Sequence, residues 1–436
     1  MALVVSEAPA AAPQTTARGA NYTLAVLTIT WFLAYLDRKI IALLVPDLKR
    51  DLFLTDVQAS LLQGVAFAIL FVVAGLPIGR LVDRFNRRNI VIVGVLCWSA
   101  STILCGFSRT FTELFVARMF VGLGEACLAP AAASIVADTF AAARRGRAMG
   151  TMLMGGAIGT GASALLAGAV TDGFATGGLG IFSGLEVWQL TFLTAGAPGI
   201  LVALLLTSVK EPARIADSSA AGTVQSGLLP VLRERWKFLV PLYIAFVANM
   251  VAAFGTSAWI PTMLMRDYSM TLAQVGYILG SLLLGMGIIS PVLGGWASDI
   301  AARRDPLCGR LRLVSSLFIA LFALGIAIYA APNLSATLIC LALNSLLASC
   351  LAASAMVVLQ ESATSHSRGQ VIAIYLVLVN VLGMGLGPLF VALLTDHVFA
   401  DENMVRASVA GTLGLAGVIG FAMLAMAKPM LRPQPA

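Results

Sequence analysis

The segment Gly79-Arg80-Leu81-Val82-Asp83-Arg84-Phe85-Asn86-Arg87-Arg88 recurs in weaker form in the second half of the chain. There, Gly295-Trp296-Ala297-Ser298-Asp299 repeats the Gly-x-x-x-Asp spacing 216 positions further on, and Arg303-Arg304 repeats the pair of arginines. A second match joins Arg145-Gly146-Arg147 to Arg368-Gly369-Gln370, which are 223 positions apart. Two matches at nearly the same displacement indicate that the chain contains two copies of one unit.

The composition places this unit in a membrane. The chain has 436 residues, of which 59% are hydrophobic and only 11% are charged, and its mean hydropathy is +0.93. A soluble domain contains roughly 25% charged residues, so this chain could not present a water-compatible surface. Its apolar runs are long and continuous, which predicts spanning helices of about 20 residues rather than the alternating strands of a β-barrel.

Twelve transmembrane helices are predicted from these runs, six in each copy of the unit. They lie near residues 23–45, 57–80, 89–107, 112–137, 146–171, 187–209, 237–261, 272–297, 311–330, 335–361, 368–395 and 405–428. The predicted domains are a disordered cytoplasmic tail (1–20), an N-terminal six-helix bundle (21–209), a cytoplasmic linker (210–236), a C-terminal six-helix bundle (237–428) and a cytoplasmic tail (429–436).

The lysines and arginines are distributed unevenly between the predicted loops. If the N-terminus is cytoplasmic, twenty of the 28 lie in inner segments, five lie in outer segments and three lie within helices. By the positive-inside rule, this asymmetry predicts that both termini are cytoplasmic. It also accounts for the net charge of +7 without a nucleic-acid partner.

Charged residues inside predicted helices are the strongest functional signal, because they are costly in a membrane. Asp37, Arg38 and Lys39 lie in the first helix, and Arg118 and Glu125 lie on one face of the fourth, nearly two turns apart. Burial favours a protonated carboxyl group and a nearby arginine favours an ionised one, so together they can set proton binding near physiological pH. We predict that Asp37 and Glu125 bind protons and that Arg38 and Arg118 are their partners or anchor an anionic substrate. Lys39 is expected to reach water by its long stem.

The repeated loop suggests a conformational switch. A carboxylate at a helix end can accept hydrogen bonds from the N-terminus of another helix and complement its dipole. We predict that Asp83 meets the start of the eleventh helix and Asp299 the start of the fifth, with Gly79 allowing a close approach. The proposed switch comprises Gly79, Asp83, Arg84, Arg87, Arg88 and Asp299.

The second half offers aromatic and amide side chains rather than a central acidic residue. With one aromatic residue of the first helix, these cavity candidates are Tyr35, Asn249, Phe254, Trp259, Asn344, Tyr375 and Asn380. An apolar cavity with scattered polar points suits an amphiphile better than a sugar, although each residue could serve packing alone. The chain contains no nucleotide-binding motif and no cysteine or histidine pattern typical of metal sites, so we predict no cofactor, no metal and an ion gradient as energy source.

Several of these segments carry a family resemblance. The stretch from Gly79 to Arg88 resembles the signature of the major facilitator superfamily. The segments similar to its Spinster family are Tyr35-Leu36-Asp37-Arg38, 54–64, 118–130 and Glu211-Pro212-Ala213-Arg214. The resemblance implies an all-α membrane protein with the major facilitator fold, two pseudo-symmetric six-helix halves, alternating access and no enzymatic activity. It further implies proton coupling through Asp37 and Glu125, with Arg38 and Arg118 in the coupling or substrate site, and a bacterial inner-membrane location.

The resulting functional prediction is a proton-coupled secondary transporter for an amphiphilic, lipid-like or organic-anion substrate. Its expected partners are protons, that substrate and membrane lipids, and we expect a monomer. Two alternatives stay open: a proton symporter for small carboxylates, and a non-transporting membrane sensor on a transporter fold. Arginines facing an aqueous cavity would favour the symporter, whereas a lateral opening toward lipid would favour a lipid carrier.

Overall fold

The computed structural model describes residues 17–175, 184–214, 228–303, 305–362 and 368–427. Within these ranges the chain is helical and contains no strand. The helices are α1 (Ala17–Leu52), α2 (Asp56–Arg84), α3 (Arg87–Phe107), α4 (Phe111–Thr139), α5 (Ala142–Ala175), α6 (Val187–Thr207), α7 (Leu228–Tyr268), α8 (Leu272–Ala301), α9 (Pro306–Ala330), α10 (Leu334–Glu361), α11 (Gly369–Phe399) and α12 (Val405–Ala427).

Eleven helices of the described chain are long and apolar enough to cross a membrane. Helix α1 is also long enough, with 36 residues, but the charged residues Asp37, Arg38 and Lys39 interrupt its apolar run. It packs lengthwise against α5 and also contacts α7, so it lies within the bundle. The prediction of an all-α, twelve-helix membrane protein is confirmed.

Two helices begin earlier than predicted. Helix α1 begins at Ala17, within the predicted tail, and α7 begins at Leu228, within the predicted linker. The physical reason is that hydropathy marks the apolar core of the membrane, which about 20 helical residues cross, whereas the backbone can stay helical beyond it. Residues 1–16 of the predicted N-terminal tail, the whole predicted C-terminal tail at 429–436 and the middle of the linker lie outside the described residues.

The two halves share a structural ion pair. In the first half, Arg87 at the start of α3 pairs with Asp138 near the end of α4. In the second half, Arg310 near the start of α9 pairs with Glu361 at the end of α10. Both residues of the second pair lie 223 positions after their counterparts, which is the displacement of the second sequence match. This repeated pairing supports duplication of the six-helix unit.

The halves meet at one end and separate at the other. We call the end formed by the α2–α3, α4–α5, α6–α7, α8–α9 and α10–α11 connections the basic end. At the opposite end, a Cβ added to Gly64 of α2 would lie 2.6 Å from the carbonyl oxygen of Gly385 in α11. One added to Gly276 of α8 would lie 2.5 Å from that of Ala164 in α5. At Gly79 and Gly295, near the basic end, an added Cβ would meet nothing within 4 Å. Among the described residues, the halves are therefore packed together at the opposite end and are not in contact at these positions of the basic end.

Candidate functional site

The charged residues of α1 and α4 come together in the interior of the first half. Arg38 donates from Nε to Oε2 of Glu125 at 3.0 Å, and its Nη2 donates to the same oxygen. The guanidinium carbon lies 4.7 Å from the ring centroid of Phe67 and 4.9 Å from that of Tyr35, so aromatic faces cover the charge. Glu125 is only 2% exposed. The sequence-predicted neighbours Arg38 and Glu125 thus form a buried, directly bonded ion pair.

Glycines on α4 allow this approach. A Cβ added to Gly122 would lie 2.2 Å from the carbonyl oxygen of Phe67 in α2, and one added to Gly124 would lie 2.7 Å from that of Gly94 in α3. The α-helical hydrogen bonding of α4 is also interrupted after Glu125 and resumes at Leu128. Because α4 can pack backbone to backbone against its neighbours, Glu125 reaches Arg38 of α1.

Asp37 lies beside this pair and is fully buried. Its Oδ2 accepts one long hydrogen bond, 3.4 Å from Oγ1 of Thr102 in α3. Its Oδ1, and Oε1 of Glu125, have no hydrogen-bond partner among the described residues. A buried carboxylate oxygen without a donor is energetically costly. Each of these two carboxyl groups therefore has an oxygen at which a proton could bind without displacing an existing bond.

Arg118 is fully buried and bonds to backbone rather than to a carboxylate. Its guanidinium donates to the carbonyl oxygens of Leu62 at 3.5 Å, Asp37 at 3.4 Å and Arg38 at 3.5 Å. These bonds connect α4 to α1 and α2 next to the Arg38–Glu125 pair. In this conformation Arg118 therefore links α4 to the backbones of α1 and α2 and makes no ion pair with a described carboxylate.

Two adjoining cavities lie between the halves beside this cluster. The larger, of about 170 Å³, is bounded by α1, α5, α7, α8 and α10. The smaller, of about 30 Å³, is lined by Arg38, Gln63 and Phe254 together with residues of α11. Lys39 and Ser257 line both cavities. Of the cavity candidates, Asn344 lines the larger cavity and Phe254 the smaller.

The other candidates line neither of these two cavities; they are Tyr35, Asn249, Trp259, Tyr375 and Asn380. Trp259 is fully buried, and its Nε1 donates to the carbonyl oxygen of Pro388 at 3.0 Å. Tyr375 packs edge-on against Phe246, and Asn380 donates to the carbonyl oxygen of Leu376 on its own helix. In this conformation Trp259 and Tyr375 pack within the second half, and Tyr35 lies in the first half against Arg38.

Lys39 and Gln63 are cavity residues that sequence reasoning missed. The sequence predicts that Lys39 reaches water by its long stem. In the structure its ammonium lies beside the cavities and donates to Oγ of Ser257 in the second half at 3.3 Å. Both amide atoms of Gln63 are buried without a hydrogen-bond partner among the described residues. The position of Lys39 directly after Asp37 and Arg38, in the middle of a long helix, was the signal in the sequence that could have indicated a cavity residue.

The predicted switch is not engaged at the basic end. Asp83 is exposed and makes no hydrogen bond or ion pair with the part of the chain that is described. Asp299 is 81% exposed, with Nη2 of Arg310 at 3.8 Å. Nε of Arg87 and the backbone N–H of Arg88 instead donate to Glu211 of the linker, and Arg84 is exposed. The side chain of Arg368, directly before α11, is not among those that the structure describes.

A second ionic cluster joins the halves at the opposite end. Asp56 of α2 accepts two hydrogen bonds from Arg266 of α7, at 2.9 and 3.0 Å, and one from Lys49 of α1. Glu402, just before α12, lies 2.9 Å from Lys49 and 3.2 Å from Arg266. We call these four residues the inter-half ion network. Every ion pair found between the halves in the described chain belongs to it.

Comparison with known proteins identifies the family. A profile of the Major Facilitator Superfamily matches residues 27–388 and 242–436. An MFS-type efflux pump of Mycolicibacterium smegmatis is 27% identical over 387 residues, covering 88% of this chain and 86% of that protein. The sphingosine-1-phosphate transporter SPNS2 of Danio rerio is 28% identical over 320 residues, covering 68% of this chain and 61% of that protein. The crystal structure of a bacterial homologue of the human lysosomal transporter Spinster, inward-facing and unoccupied, matches with a TM-score of 0.80 at 24% identity, covering 97% of this chain and 100% of that one. The chain therefore belongs to the Major Facilitator Superfamily and is a membrane transporter, not an enzyme, with Spinster proteins among its relatives.

Proposed function

We propose that the protein is a proton-coupled transporter that moves an amphiphilic or organic-anion substrate by alternating access. The observation that carries this proposal is the buried Arg38–Glu125 pair, which lies next to Asp37 and borders a cavity between the halves. Ionisable groups this deep in a transporter are typical of proton relays and ion pathways.

The coupling follows from what a proton does to the pair. An ionised Glu125 holds the guanidinium of Arg38 through two charge-assisted hydrogen bonds, each of which contributes about 1.5–3 kcal/mol. Protonation of Glu125 removes most of that attraction. The guanidinium, which already lines the smaller cavity, is then available to an anion there. The ionised Glu125 and a substrate anion therefore compete for the guanidinium of Arg38. Binding of a proton to Glu125 removes one competitor and so favours binding of the anion.

The proposed orientation places the basic end in the cytoplasm of a bacterium. The excess of lysine and arginine at that end supports it by the positive-inside rule. In this orientation the conformation described above is inward-open, with the inter-half ion network closing the outer side. The bacterial Spinster homologue to which the fold is similar was likewise solved in an inward-facing conformation.

The test is transport by purified protein in liposomes with an imposed pH gradient. Substrates would be a panel of lysophospholipids, organic carboxylates and apolar cations, and both substrate and proton flux would be recorded. Glu125→Gln and Asp37→Asn should abolish gradient-driven accumulation while exchange of substrate across the membrane persists. Glu113→Gln is the matched control, because Glu113 lies on α4 but is exposed at the opposite end.

Unimpaired uphill transport in both variants would contradict proton coupling through these carboxyl groups. Proton symport of a small carboxylate is the second candidate function, because the larger cavity holds only about 170 Å³. Proton influx that accompanies carboxylates but not lysophospholipids would favour it. Substrate binding without any flux would favour the sensor.

A further inference from the structure

We infer that Lys39 and Ser257 form the anion-binding site for the substrate, and that the larger cavity holds a compact apolar body attached to that anion. This inference rests on the proposed transport function, and it assigns to Lys39 a role that differs from the proton-binding role of Asp37 and Glu125. Its starting point is a cation at membrane depth with no counter-charge.

Among the three cations of the central cluster, Lys39 is the one without a described counter-charge or carbonyl partners. Arg38 is bonded to Glu125, and Arg118 is satisfied by three carbonyl oxygens. The ammonium of Lys39 makes no salt bridge within 4.0 Å to any described Asp or Glu. Its recorded contacts are a 3.3 Å hydrogen bond to Oγ of Ser257 and the ring of Phe254 at 5.3 Å. A charge inside a membrane is expensive unless it is paired. An anionic group of the substrate would supply the missing partner.

The cavity that Lys39 borders determines the rest of the ligand. Its walls include aliphatic side chains from α8 and α10, namely Leu279, Leu282, Leu283 and Leu341, and the polar side chains of Thr160, Asn344 and Ser345. A cavity of about 150 Å³ with apolar walls accepts benzene, so the volume of about 170 Å³ found here fits a body of roughly six to eight carbon atoms. The substrate class is therefore an apolar monoanion such as an aromatic or medium-chain carboxylate.

The position of this site connects binding to the movement of the halves. Lys39 belongs to α1 in the first half, and Ser257 belongs to α7 in the second. An anion that accepts hydrogen bonds from both would bridge the halves at the level of the ion pair. Since Lys39 follows Arg38 directly in α1, an anion at this site also lies beside the cation that Glu125 controls.

The test is equilibrium binding to detergent-solubilised protein in the absence of any gradient, so that its result does not depend on proton coupling. The probes are radiolabelled benzoate and octanoate, with benzyl alcohol as uncharged competitor and lysophosphatidic acid as a long-chain anion. The variants are Lys39→Gln, Lys39→Arg, Leu283→Trp and, as control, Lys237→Gln, whose side chain is exposed far from the cavity. Thermal unfolding of each variant confirms that it is folded.

We expect Lys39→Gln to weaken binding of both carboxylates about 10- to 100-fold, which corresponds to the loss of one charge-assisted hydrogen bond. Lys39→Arg should retain more affinity because it keeps the charge, Leu283→Trp should abolish binding by filling the cavity, and Lys237→Gln should bind as the wild type does. Benzyl alcohol should compete poorly. Wild-type affinity in Lys39→Gln would overturn the anion site. Binding of lysophosphatidic acid but of neither carboxylate would overturn the compact apolar body.

Discussion

Replacement of Asp56 by asparagine would remove the carboxylate that Arg266 and Lys49 share across the two halves. The side chain of Asp56 is fully buried, and Arg266 binds both of its oxygens. Truncating one partner of a buried ion pair costs about 3–5 kcal/mol. Asparagine keeps one acceptor oxygen and Glu402 remains beside both cations, so we expect a loss of about 2 kcal/mol, near the value of one charge-assisted hydrogen bond.

We expect most of that loss in the conformation in which the opposite end is closed, because the Asp56–Arg266 pair joins the two halves, whereas the Asp56–Lys49 pair lies within the first half. Since 1.36 kcal/mol corresponds to a tenfold change, the equilibrium should shift about 30-fold toward the conformation that opens at this end. Glu402 is 62% exposed, so Glu402→Gln should shift it by less than about 1 kcal/mol. Asp47→Asn is the matched control, because Asp47 pairs with Arg50 inside α1 and not across the halves.

The assay is double electron–electron resonance between spin labels at positions 109 and 332, on the α3–α4 and α9–α10 loops. The six native cysteines are first replaced, since all of those described are free. The distance distribution of Asp56→Asn should gain a longer component, and a double-mutant cycle with Arg266→Gln should give a coupling energy of about 1–3 kcal/mol. Unchanged distances in Asp56→Asn, together with no coupling, would refute the view that this network closes the opposite end.

Two further predictions concern the helix contacts. Gly122→Ala should destabilise the protein by about 1–3 kcal/mol and lower its melting temperature in detergent, because the added Cβ would meet the backbone of Phe67 at 2.2 Å. Gly79→Ala is the control and should leave the melting temperature unchanged, because its added Cβ would meet nothing within 4 Å. Asp83→Ala should leave the melting temperature unchanged but reduce the fraction of molecules that are closed at the basic end. This fraction is measured from the distance between spin labels on the α2–α3 and α10–α11 loops, and an unchanged fraction would contradict the switch.

Much of the fold could be predicted because each spanning helix carries its own signal. A run of about 20 apolar residues specifies a transmembrane helix whatever surrounds it, and the duplicated loop specifies the relation between the halves. The cluster around Asp37 and Glu125 could be predicted for the same reason, since a charged residue inside an apolar run is visible in the sequence whatever partner it meets in the fold.

The partners themselves could not be predicted. Asp56 and Arg266 are 210 positions apart, and no periodicity relates two helices that meet only in the tertiary fold. Whether the side chain of Lys39 points toward the second half depends on the rotation of α1 about its axis, and this rotation is set by packing against α5 and α7. The interruption of α4 after Glu125 and the π-helical turns from Val379 to Leu386 depend on backbone contacts between helices, which residue preferences do not encode.

The two copies of the ancestral unit have diverged in chemistry while keeping their scaffold. Both retain the ion pair that joins the third and fourth helices of the unit, Arg87–Asp138 and Arg310–Glu361, so this pair is the shared structural element. The buried carboxyl groups beside a cavity are found in the first half of the described chain, and most of the larger cavity is formed by α7, α8 and α10 of the second.

A proton bound in one half can influence a substrate held mainly by the other only through groups that touch both. Lys39 is such a group at the centre, and the inter-half ion network is its counterpart at the closed end. Coupling in this protein should therefore be more sensitive to substitution of these few bridging residues than to substitution of either wall of the cavity.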